Sequence, residues 1–521
     1  MTADHGLPRI ASALTVGALF HDQVLRHKGS IALEAGGRRI TYAELDERAN
    51  RLAHVLAAGG VTRGERVAIL AENRSEYVEL YLAAAKIGAI VACQNWRQSD
   101  AELAHCIALG EPRLAIVSER YAPTLARIDH KLPGVIVLGA EYESHLARAG
   151  VAEPIAAVDP EDGLVILYTS GTTGFPKGAL ISHRAMIART MLARTDGSLY
   201  PERGYICWSP LFHMASTDSV LGMLISGGKV IVVDGFHAEV LVEIMAREPL
   251  GVLTLMPGTL DAVIDELIRS GRRPLGIEAV GSLVDLVPPD KIAEITSLLQ
   301  APYRNTFGST ETGLAPASRG RIPIGARPSR LSKVQSSYCQ IRLVDEDDRD
   351  VPDGEPGEVA MRGPSLFSGY WRAPEANAQA FRGGWYHMGD VLLRNPDGTL
   401  DFVDRRKYLI KSGGENIYPA EIERVLLASP RIGEVAVVRR ADAKWGEVPV
   451  AFVVRRDEAL TGAEVLAMCR NGLAAYKAPK EVRFVAAADL PRNLTGKIRR
   501  HELEDLLRRE TTGASSPAGA A

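Results

Sequence analysis

The sequence predicts an α/β protein in which parallel sheets are built from strand–helix–strand units. Short apolar runs typical of buried strands occur at residues 67–70, 90–93, 164–167, 230–233 and 252–256, and helical patterns alternate with them. Such alternation is characteristic of parallel sheets covered by helices. A length of 521 residues exceeds a single hydrophobic core, and chains of this size form roughly three to four folding units.

The N-terminal half supplies most of this alternation. Residues 10–20 are largely apolar and predict a core helix rather than a signal peptide, because no convincing cleavage site follows them. Thr41 and Glu44 have the spacing of a capping box that opens the next helix, and Gly59 with Gly60 ends that helix. The next predicted helix covers residues 78–87.

The character of the chain changes near residue 400. Upstream, turn signals at residues 354–357 and 397–398 separate short strands and indicate a β-rich subdomain. Downstream, a helix from Pro419, strands at residues 434–439 and 450–454 and another helix predict a small α+β domain. We therefore expect an N-terminal domain over residues 1–404, a separate C-terminal domain over residues 405–521, and a disordered tail at residues 511–521.

The composition narrows the class of protein. Hydrophobic residues make up 46% of the chain and charged residues 24%, as in soluble globular proteins. A net charge of −3 gives no support for a nucleic-acid partner. The five cysteines are scattered, which disfavours disulfides and zinc and favours a reducing compartment. No apolar run approaches the ~18 residues of a membrane-spanning helix, so we predict a cytoplasmic protein. The sequence does not give the oligomeric state and leaves a homodimer open.

Residues 168–178 are the most informative segment. Their sequence, Y-T-S-G-T-T-G-F-P-K-G, directly follows an apolar strand. Glycines let a backbone approach a polyanion, and hydroxyl groups and a lysine add donors for phosphate oxygens. The segment is not a Walker A motif, because Phe175 and Pro176 separate Gly174 from Lys177. It predicts a nucleotide-triphosphate loop, with an ordinary surface turn as the alternative.

The order of residues in this loop resembles the phosphate loop of the acyl-adenylate-forming superfamily, which contains acyl-CoA synthetases, firefly luciferases and peptide-synthetase adenylation domains. Further segments resemble motifs of the same family in the same order, at residues 209–214, 303–312, 385–390, 404–423, 445–447 and 491–499. The resemblance covers nearly the whole chain. The protein is identified as a member of the AMP-forming acyl-CoA synthetases, which implies ATP, Mg²⁺ and coenzyme A as its cofactors and cosubstrates.

The resemblance implies how Mg·ATP is bound. Phe307 would stack on adenine, at a position where the family more often has tyrosine, and Thr310 would bond the α-phosphate. Glu311 would be the metal ligand, since a hard cation prefers carboxylate oxygens. Asp390 would accept hydrogen bonds from both ribose hydroxyls. The implied phosphate ligands are Thr169, Ser170, Gly171, Thr172, Thr173, Gly174 and Lys177.

The C-terminal motifs imply a mobile catalytic domain. Arg405 would contact ribose and phosphate, and Lys407 would be the interdomain hinge. Lys497 would be the catalytic lysine, whose ammonium offsets the charge that builds during acyl attack. The implied contacts with coenzyme A are Gly413, Gly414, Trp445, Tyr476 and Lys477.

The resemblance also implies a site for the acid beside His213, a catalytic residue of the family, with His183 as the alternative histidine. Small residues leave volume for a medium-chain fatty or aryl acid, although residues 280–289 depart from the usual family pattern. No lysine or arginine stands among the pocket positions, which argues against a second carboxylate on the substrate. The implied pocket residues are His213, Met214, Ser216, Thr217, Val280, Gly281, Thr306, Gly308 and Leu314.

Two alternatives to a CoA ligase remain. An acyl-AMP ligase or amino-acid-activating module would load a carrier protein, and Asp218 lies where amino-acid activators commonly place an amine-binding aspartate. The glycines at 413 and 414 favour coenzyme A instead. A non-enzymatic nucleotide-binding scaffold would lack a key residue, whereas the five most important ones are present: Lys177, Glu311, Asp390, Arg405 and Lys497.

Overall fold

The computed structural model describes residues 11–169, 175–281, 285, 287–413, 415–492 and 498–511, and it confirms the α/β class. The chain divides into two compact units, Met1–Ile341 with Met361–Tyr386 and Arg342–Ala360 with His387–Ala521. The boundary predicted after residue 404 falls inside the second unit and stays a prediction. Within the described ranges, no helix has both the length and the apolar character needed to cross a bilayer.

The first unit contains two large sheets and the helices that cover them. Its helices are α1 (Val16–His27), α2 (Tyr42–Ala58), α3 (Ser75–Ile87), α4 (Asp100–Gly110), α5 (Ala122–Arg127), α6 (Ala140–Arg148), α7 (His183–Thr195), α8 (Met214–Leu224), α9 (Ala238–Arg247), α10 (Leu260–Ser270), α11 (Pro289–Leu299) and α12 (Pro374–Ala380). Its strands are β1 (Ile31–Ala35), β2 (Arg38–Thr41), β3 (Arg66–Leu70), β4 (Ile90–Cys93), β5 (Leu114–Val117), β6 (Val135–Val137), β7 (Gly163–Thr169), β8 (Lys177–Ser182), β9 (Gly204–Cys207), β10 (Lys229–Val232), β11 (Leu250–Leu253), β12 (Ile277–Val280), β13 (Tyr303–Ser309) and β14 (Gly313–Ile322).

The two sheets are largely parallel. One has eight strands in the order β14-β13-β12-β11-β9-β10-β1-β2, and the other has six in the order β6-β5-β3-β4-β7-β8. The antiparallel pairs β1–β2, β13–β14 and β7–β8 lie at sheet edges. Because parallel strands end at the same side of a sheet, the loops after β9, β12 and β13 are brought to one edge of the first sheet.

Helix α3 lies between the two sheets. It packs against β1 of the eight-stranded sheet and against β4 and β7 of the six-stranded sheet. Every residue of the helix except Glu76 is buried, as expected for a helix that is covered all round. Gly17 of α1 permits close packing on this layer, because a Cβ there would lie 2.9 Å from the carbonyl oxygen of Ala85.

Local signals predicted several boundaries of these elements correctly. Thr41 and Glu44 form the predicted capping box, Gly59 is the C-cap of α2, and β4 has its predicted bounds. The predicted helix at residues 10–20 was wrong at its start, because Thr15 caps a helix that begins at Val16. The strand predicted at residues 252–256 is shifted, since β11 ends at Leu253.

The second unit holds two smaller sheets. Its helices are α13 (Pro419–Leu427), α14 (Gly462–Gly472) and α15 (Arg500–Thr511). The strands assigned to it are β15 (Gln340–Val344), β16 (Pro356–Arg362), β17 (Tyr386–Arg394), β18 (Leu400–Arg405), β19 (Ile410–Ser412), β20 (Glu415–Ile417), β21 (Ile432–Asp442), β22 (Gly446–Arg455) and β23 (Glu481–Phe484). A four-stranded sheet has the order β15-β16-β17-β18, and a five-stranded sheet has the order β20-β19-β22-β21 with β23 beside β22. Residues 512–521 of the predicted tail lie outside the described residues.

Helix α13 begins at Pro419, as predicted. Pro is favoured at the first helical position, where its missing N–H has no partner to lose. Ile422 and Leu426 are buried against the five-stranded sheet, whereas Val425, also predicted to point inward, is only partly buried.

His183 connects the start of α7 to the start of α1. Its side chain is fully buried, and its Nδ1 accepts the backbone N–H of Val16 at 3.1 Å. This bond requires an unprotonated Nδ1. Burial lowers the pKa of His183 to about 4, although Asp162 opposes the shift. The structural role that the sequence favours for His183 agrees with this contact.

Acid should therefore weaken the fold through His183. The folded-state pKa is below the ordinary value of about 6.5, so the folded protein binds fewer protons and loses stability as the pH falls from about 6.5 to about 4. A shift of this size corresponds to about 3 kcal/mol. Urea unfolding of the protein and of His183→Gln at pH 7 and pH 4.5 measures this, and over that interval the variant should lose about 2 kcal/mol less. Equal losses in the two proteins would contradict the assignment.

Candidate active site

The arms of the predicted phosphate loop are the paired ends of β7 and β8. Thr169 and Lys177 are register partners across this antiparallel pair. On the far side of the loop, His105 lies near the backbone oxygen of Pro176, with its Nε2 at 3.2 Å, and its ring is 4.7 Å from that of Phe175. The predicted phosphate ligands Ser170, Gly171, Thr172, Thr173 and Gly174 lie outside the described residues.

An extended segment, residues 367–371, runs along the free edge of β8. Ser368 N donates to Leu180 O at 2.8 Å, Leu180 N donates to Gly369 O at 3.0 Å, and Trp371 N donates to Gly178 O at 2.7 Å. These bonds satisfy the edge of β8 as an added strand would. They also fix the position of the residue between Gly369 and Trp371, which is Tyr370.

Tyr370 brings two predicted nucleotide ligands together. Its hydroxyl donates to Oε1 of Glu311 at 3.0 Å, and its ring centroid is 5.2 Å from Nζ of Lys177. Phe367 N also donates to the backbone oxygen of Glu311 at 2.8 Å. The Glu311 side chain is buried. The structure thus brings an ammonium over the ring of Tyr370 and a carboxylate to its hydroxyl, although the two groups are far apart in sequence.

Arg189 of α7 supports the turn that carries Thr310 and Glu311. The Arg189 guanidinium is buried and donates to Thr310 O at 3.0 Å, to Ser365 O at 2.9 Å and to both carboxylate oxygens of Asp218 at 3.3 Å. Gly313 is required beside it, because its φ is +70° and a Cβ there would lie 2.9 Å from Cγ of Arg189.

The carboxylate of Asp218, on α8, is therefore paired with Arg189. Burial raises the pKa of its carboxyl, and Arg189 opposes this shift. An amine-binding aspartate would present its carboxylate to the substrate instead. The sequence offered no local signal for this pairing, since Arg189 and Asp218 lie on different helices.

His213 stands at the start of α8, where the predicted acid pocket begins. It is the N-cap residue of the helix, and its ring is 4.6 Å from that of Phe212. Asn73 fixes the preceding loop by accepting from Leu211 N at 2.8 Å and donating to Ser209 O at 2.9 Å. Met214 follows at the first helical position and is partly exposed.

The hydroxyl groups of Ser216 and Thr217 donate hydrogen bonds to backbone carbonyls. Both are fully buried. Ser216 Oγ donates to Ser209 O at 2.8 Å, and Thr217 Oγ1 donates to Leu211 O at 2.7 Å. These bonds hold the loop before His213 in place, and the contact of the two residues with the acid stays a prediction.

The remaining pocket candidates occupy the ends of β12, β13 and β14. Gly281 has a φ of +100°, and a Cβ there would lie 2.2 Å from the Tyr303 ring, so the position requires glycine. Gly308 is likewise required, because its Cβ would lie 2.0 Å from the carbonyl oxygen of Gly313. Val280 is fully buried in the core beside Tyr303. The partly exposed pocket candidates on these strands are Thr306 and Leu314, and Phe307, the predicted adenine-stacking residue, is also partly exposed.

In the second unit, Asp390 and Arg405 are partners across β17 and β18. Oδ1 of Asp390 is 3.0 Å from Nε of Arg405, and the aspartate is buried whereas the arginine is exposed. The structure thus joins the two predicted ribose ligands of this unit.

Asp404, which the sequence analysis did not single out, anchors the start of α13. Its Oδ2 accepts the N–H of Ala420 at 2.8 Å, and its Oδ1 accepts that of Arg405 at 2.6 Å. A carboxylate is favoured there by the orphan N–H groups and the positive end of the helix. Burial raises the pKa of this carboxyl.

The predicted hinge residue Lys407 is exposed in the short turn Arg406–Tyr408. Its Nζ is 4.9 Å from the centroid of the Tyr408 ring, and the guanidinium of Arg500 is 4.6 Å from the same ring.

Gly413 lies against Trp445. It has a φ of +60°, donates its N–H to the carbonyl of Trp445 at 2.8 Å, and would place a Cβ 2.7 Å from the indole. The indole is 41% exposed, and Nζ of Lys444 lies 4.8 Å from its centroid and Nζ of Lys480 5.9 Å from it. Gly414 lies outside the described residues.

The other predicted coenzyme A contacts follow α14. Tyr476 is exposed, and Nζ of Lys477 donates to Glu421 at 2.6 Å. The predicted catalytic Lys497 lies outside the described residues. The ends of its loop are joined by a bridge between Arg492 and Ile498.

Comparison with known proteins agrees with this set of motifs. A family model described as AMP-binding enzyme matches residues 20–371, and one described as AMP-binding enzyme C-terminal domain matches residues 421–497. An indoleacetate–CoA ligase of Aromatoleum aromaticum is 33% identical over 93% of this chain and 96% of that protein. A feruloyl-CoA synthase of Amycolatopsis sp. is also 33% identical, over 91% of this chain and 95% of that protein.

Solved structures give the same result. ATP-bound MatB from Rhodopseudomonas palustris has a TM-score of 0.80 at 30% identity and covers 95% of this chain and 99% of its own. The o-succinylbenzoate CoA synthetase MenE of Bacillus subtilis, in complex with its acyl-adenylate, has a TM-score of 0.81 at 26% identity, with 94% and 98% covered. The chain belongs to the AMP-binding enzyme family, and its class is AMP-forming carboxylate–CoA ligase. The predicted superfamily, enzyme class and use of ATP, Mg²⁺ and coenzyme A are confirmed.

The Arg189–Asp218 pair should be costly to break from one side. Arg189→Met leaves a buried carboxylate without its counter-charge, and such losses cost about 3–5 kcal/mol. Replacing both residues, in Arg189→Met with Asp218→Leu, removes the stranded charge and should recover most of that loss. Urea unfolding of the single and double variants measures the coupling. A double variant no more stable than Arg189→Met would show that the pair does not balance charge.

Proposed function

We propose that the chain converts an aryl or medium-chain carboxylic acid into its CoA thioester through an acyl-adenylate. The observation that carries the proposal is the arrangement of Lys177, Tyr370 and Glu311, which brings a cationic and an anionic group together in the first unit. The aryl preference is supported by relatives named for indoleacetate and ferulate. Another relative is named for long-chain fatty acids, which keeps the aliphatic class in the proposal.

The residues around Glu311 fit a magnesium–nucleotide complex. Mg²⁺ in such sites is held by one or two carboxylates together with substrate phosphates and water. In the proposal Glu311 supplies the carboxylate. Its support is that the hydroxyl of Tyr370 donates to Glu311, while Nζ of Lys177 lies over the ring of the same tyrosine. When bound, the cation neutralises charge on the phosphate oxygens. In the proposal, Thr310 bonds the α-phosphate and Phe307 stacks on adenine.

Two bond exchanges make up the proposed reaction. First, an oxygen of the substrate carboxylate attacks the α-phosphorus, the bond to pyrophosphate breaks, and acyl-AMP forms. The thiolate sulfur of coenzyme A then attacks the acyl carbon, and AMP leaves with the carbon–oxygen bond electrons. Lys177 and Lys497 contribute by positioning and by electrostatic stabilisation of the phosphate charge. His213 would border the acid.

We assign the second unit to the ribose and to coenzyme A. The Asp390 and Arg405 pair would take the ribose hydroxyls and adjoining phosphate, supported by their contact across β17 and β18. Gly413, Gly414 and Trp445 would form the pantetheine channel, supported by the exposed indole beside Gly413. A rotation of residues 405–521 about Lys407 would exchange Lys497 for this channel between the two steps.

The carrier-loading alternative has less support. Its best sequence signal is Asp218, and Arg189 holds that carboxylate. The proposal also includes the cytoplasmic location suggested by the cysteine usage and the homodimer left open by the sequence. Light scattering of the purified chain decides between monomer and dimer.

Lys497→Ala should separate the two steps. Loss of the ammonium should slow pyrophosphate release from acid and Mg·ATP by at least about 100-fold, because charge on the α-phosphate is no longer offset. Thioester formation from supplied acyl-AMP and coenzyme A should change by less than about 3-fold. The two rates are measured separately, by a coupled pyrophosphate assay and by chromatography of the CoA product. Equal losses in both steps would refute the role of Lys497.

The matched control is Lys407→Pro. It restricts the proposed hinge without removing the catalytic lysine, so it should slow thioester formation while pyrophosphate release from acid and Mg·ATP persists. If both rates are unchanged in Lys407→Pro, Lys407 is not the hinge. The catalytic role of Lys497 is not affected by that result.

A further inference from the structure

Arg304 is a buried cation without a matching anion. It is the second residue of β13, its side chain is 7% exposed, and its Nε has no hydrogen-bond partner. Among the residues that the structure describes, no carboxylate lies within ion-pair distance of its guanidinium. Buried charges in proteins are normally paired, because the cost of removing an isolated charge from water is several kcal/mol.

The guanidinium lines a small cavity between α8 and the eight-stranded sheet. The cavity measures about 10 Å³, which is room for one water molecule. Its wall carries the hydroxyl-bearing residues Ser198, Tyr205 and Ser219, and a hydroxyl group can donate a hydrogen bond to an oxyanion. Tyr200 also lines the cavity, but its hydroxyl donates to Gly197 O at 2.9 Å, and Met223 closes one side.

A second arginine increases the positive charge at this place. Arg321 is the register partner of Arg304 across β13 and β14, and like charges in such positions repel. Arg321 donates to backbone carbonyls, among them those of Asp196 at 2.9 Å and Gly320 at 3.0 Å. Burial lowers the pKa of Arg304 to about 10, and Arg321 contributes to that shift. Arg304 remains charged at neutral pH and still needs a counter-anion.

The cavity shares two elements with the predicted acid pocket. Arg304 and Thr306 both belong to β13, whose pairing with β14 shifts between Asn305 and Phe307. Ser219 and Met223 belong to α8, the helix that His213 begins, and α8 packs against β9. From Arg304 to Gly308 the chain spans at most roughly 13 Å. A substrate whose carboxylate reacts near Gly308 would have to reach about this far along β13 for its other end to meet Arg304.

We propose that this cavity binds the far end of the acid substrate and that this end carries a second carboxylate. The inference rests on the proposed function and narrows its substrate to dicarboxylic acids. A planar carboxylate matches the two-donor geometry of a guanidinium, and the surrounding hydroxyls can bond its remaining lone pairs. Met223 is an unbranched, flexible side chain whose movement enlarges the cavity. The predicted pocket positions contain no Lys or Arg, which argues against a second carboxylate on the substrate. Arg304 is not one of those positions, so the sequence does not reveal this cation.

A chain-length series tests the proposal. Straight dicarboxylic acids of six to ten carbons are compared with the monocarboxylic acids of equal length, by kcat/KM for pyrophosphate release. The protein should favour one dicarboxylic acid over its matched monocarboxylic acid by at least about 10-fold. Arg304→Met should erase that preference by lowering kcat/KM for the dicarboxylic acid, with the monocarboxylic acid changed by less than about 3-fold. A protein without the preference, or a preference that survives in Arg304→Met, would overturn the proposal.

Arg194→Met is the matched control. Arg194 is an exposed residue in the last turn of α7 that pairs with Glu202, so the same substitution there should leave the preference unchanged. If Arg304→Met does not fold, Arg304→Lys retains a charge but loses the forked donors, and it should lower the preference at least about 3-fold.

Melting temperature distinguishes the other occupants. Arg304→Met removes an unpaired buried charge, so in gluconate buffer without acid it should melt no lower than the parent protein. The cavity holds an inorganic anion if two results occur together. Chloride in place of gluconate raises the melting temperature of the parent protein but not of Arg304→Met, and no dicarboxylic acid is preferred. The proposal then fails. If no acid releases pyrophosphate but a dicarboxylic acid stabilises the parent and not Arg304→Met, the proposed function fails and the binding site stands.

Discussion

The hydrogen bond between Tyr370 and Glu311 is the interaction on which the proposed nucleotide site depends. It exists because residues 367–371 extend the edge of β8 and so fix Tyr370 between the start of that strand and the turn after β13. The six-stranded sheet carries Lys177 and the eight-stranded sheet carries Glu311. Without the added segment, nothing among the described contacts would hold these two groups beside one ring. Backbone pairing at a sheet edge thus sets the geometry of a charged site.

Burial of charge is the second constraint in the first unit, and the structure meets it in two different ways. Arg189 has a carboxylate and two carbonyl oxygens as partners, so its charge is balanced and it can hold the Thr310 turn rigidly. Arg304 has no such partners among the described residues, although it is similarly buried. The first arrangement is typical of a supporting residue. The arrangement of Arg304 is typical of a binding site for an anionic ligand, because an unpaired buried charge costs stability.

Features determined by neighbouring residues could be predicted from the sequence. The capping box of Thr41, the start of α13 at Pro419 and the bounds of β4 follow from local hydrogen bonding and short apolar runs. The family resemblance supplied the positions of Lys177, Glu311, Asp390 and Arg405, and the structure brings these together in two pairs, one in each unit. Their roles in binding ATP stay predictions.

Features determined by tertiary contact could not be predicted. Arg189 and Asp218 meet only because α7 and α8 pack together, and no spacing rule links them. Ser216 and Thr217 resemble pocket residues in sequence, yet their hydroxyls bond the loop before α8. No local sequence signal distinguishes Arg304 from other strand residues, because its burial results from the packing of α8 against the sheet. The sequence therefore defines the reaction better than the substrate, since the acid pocket depends on packing.

The central claim is that Tyr370 holds Glu311 for the magnesium–nucleotide complex, and Tyr370→Phe tests it most directly. The variant keeps the ring beside Lys177 and removes only the hydroxyl that Glu311 accepts. Acid-dependent pyrophosphate exchange is measured as a function of Mg²⁺ concentration, with the exposed Tyr338→Phe as control. The account predicts that kcat/KM for ATP falls by roughly 10- to 100-fold and that more Mg²⁺ is needed for half-maximal rate, while KM for the acid changes by less than about 3-fold. An unchanged Mg²⁺ requirement in Tyr370→Phe would contradict it.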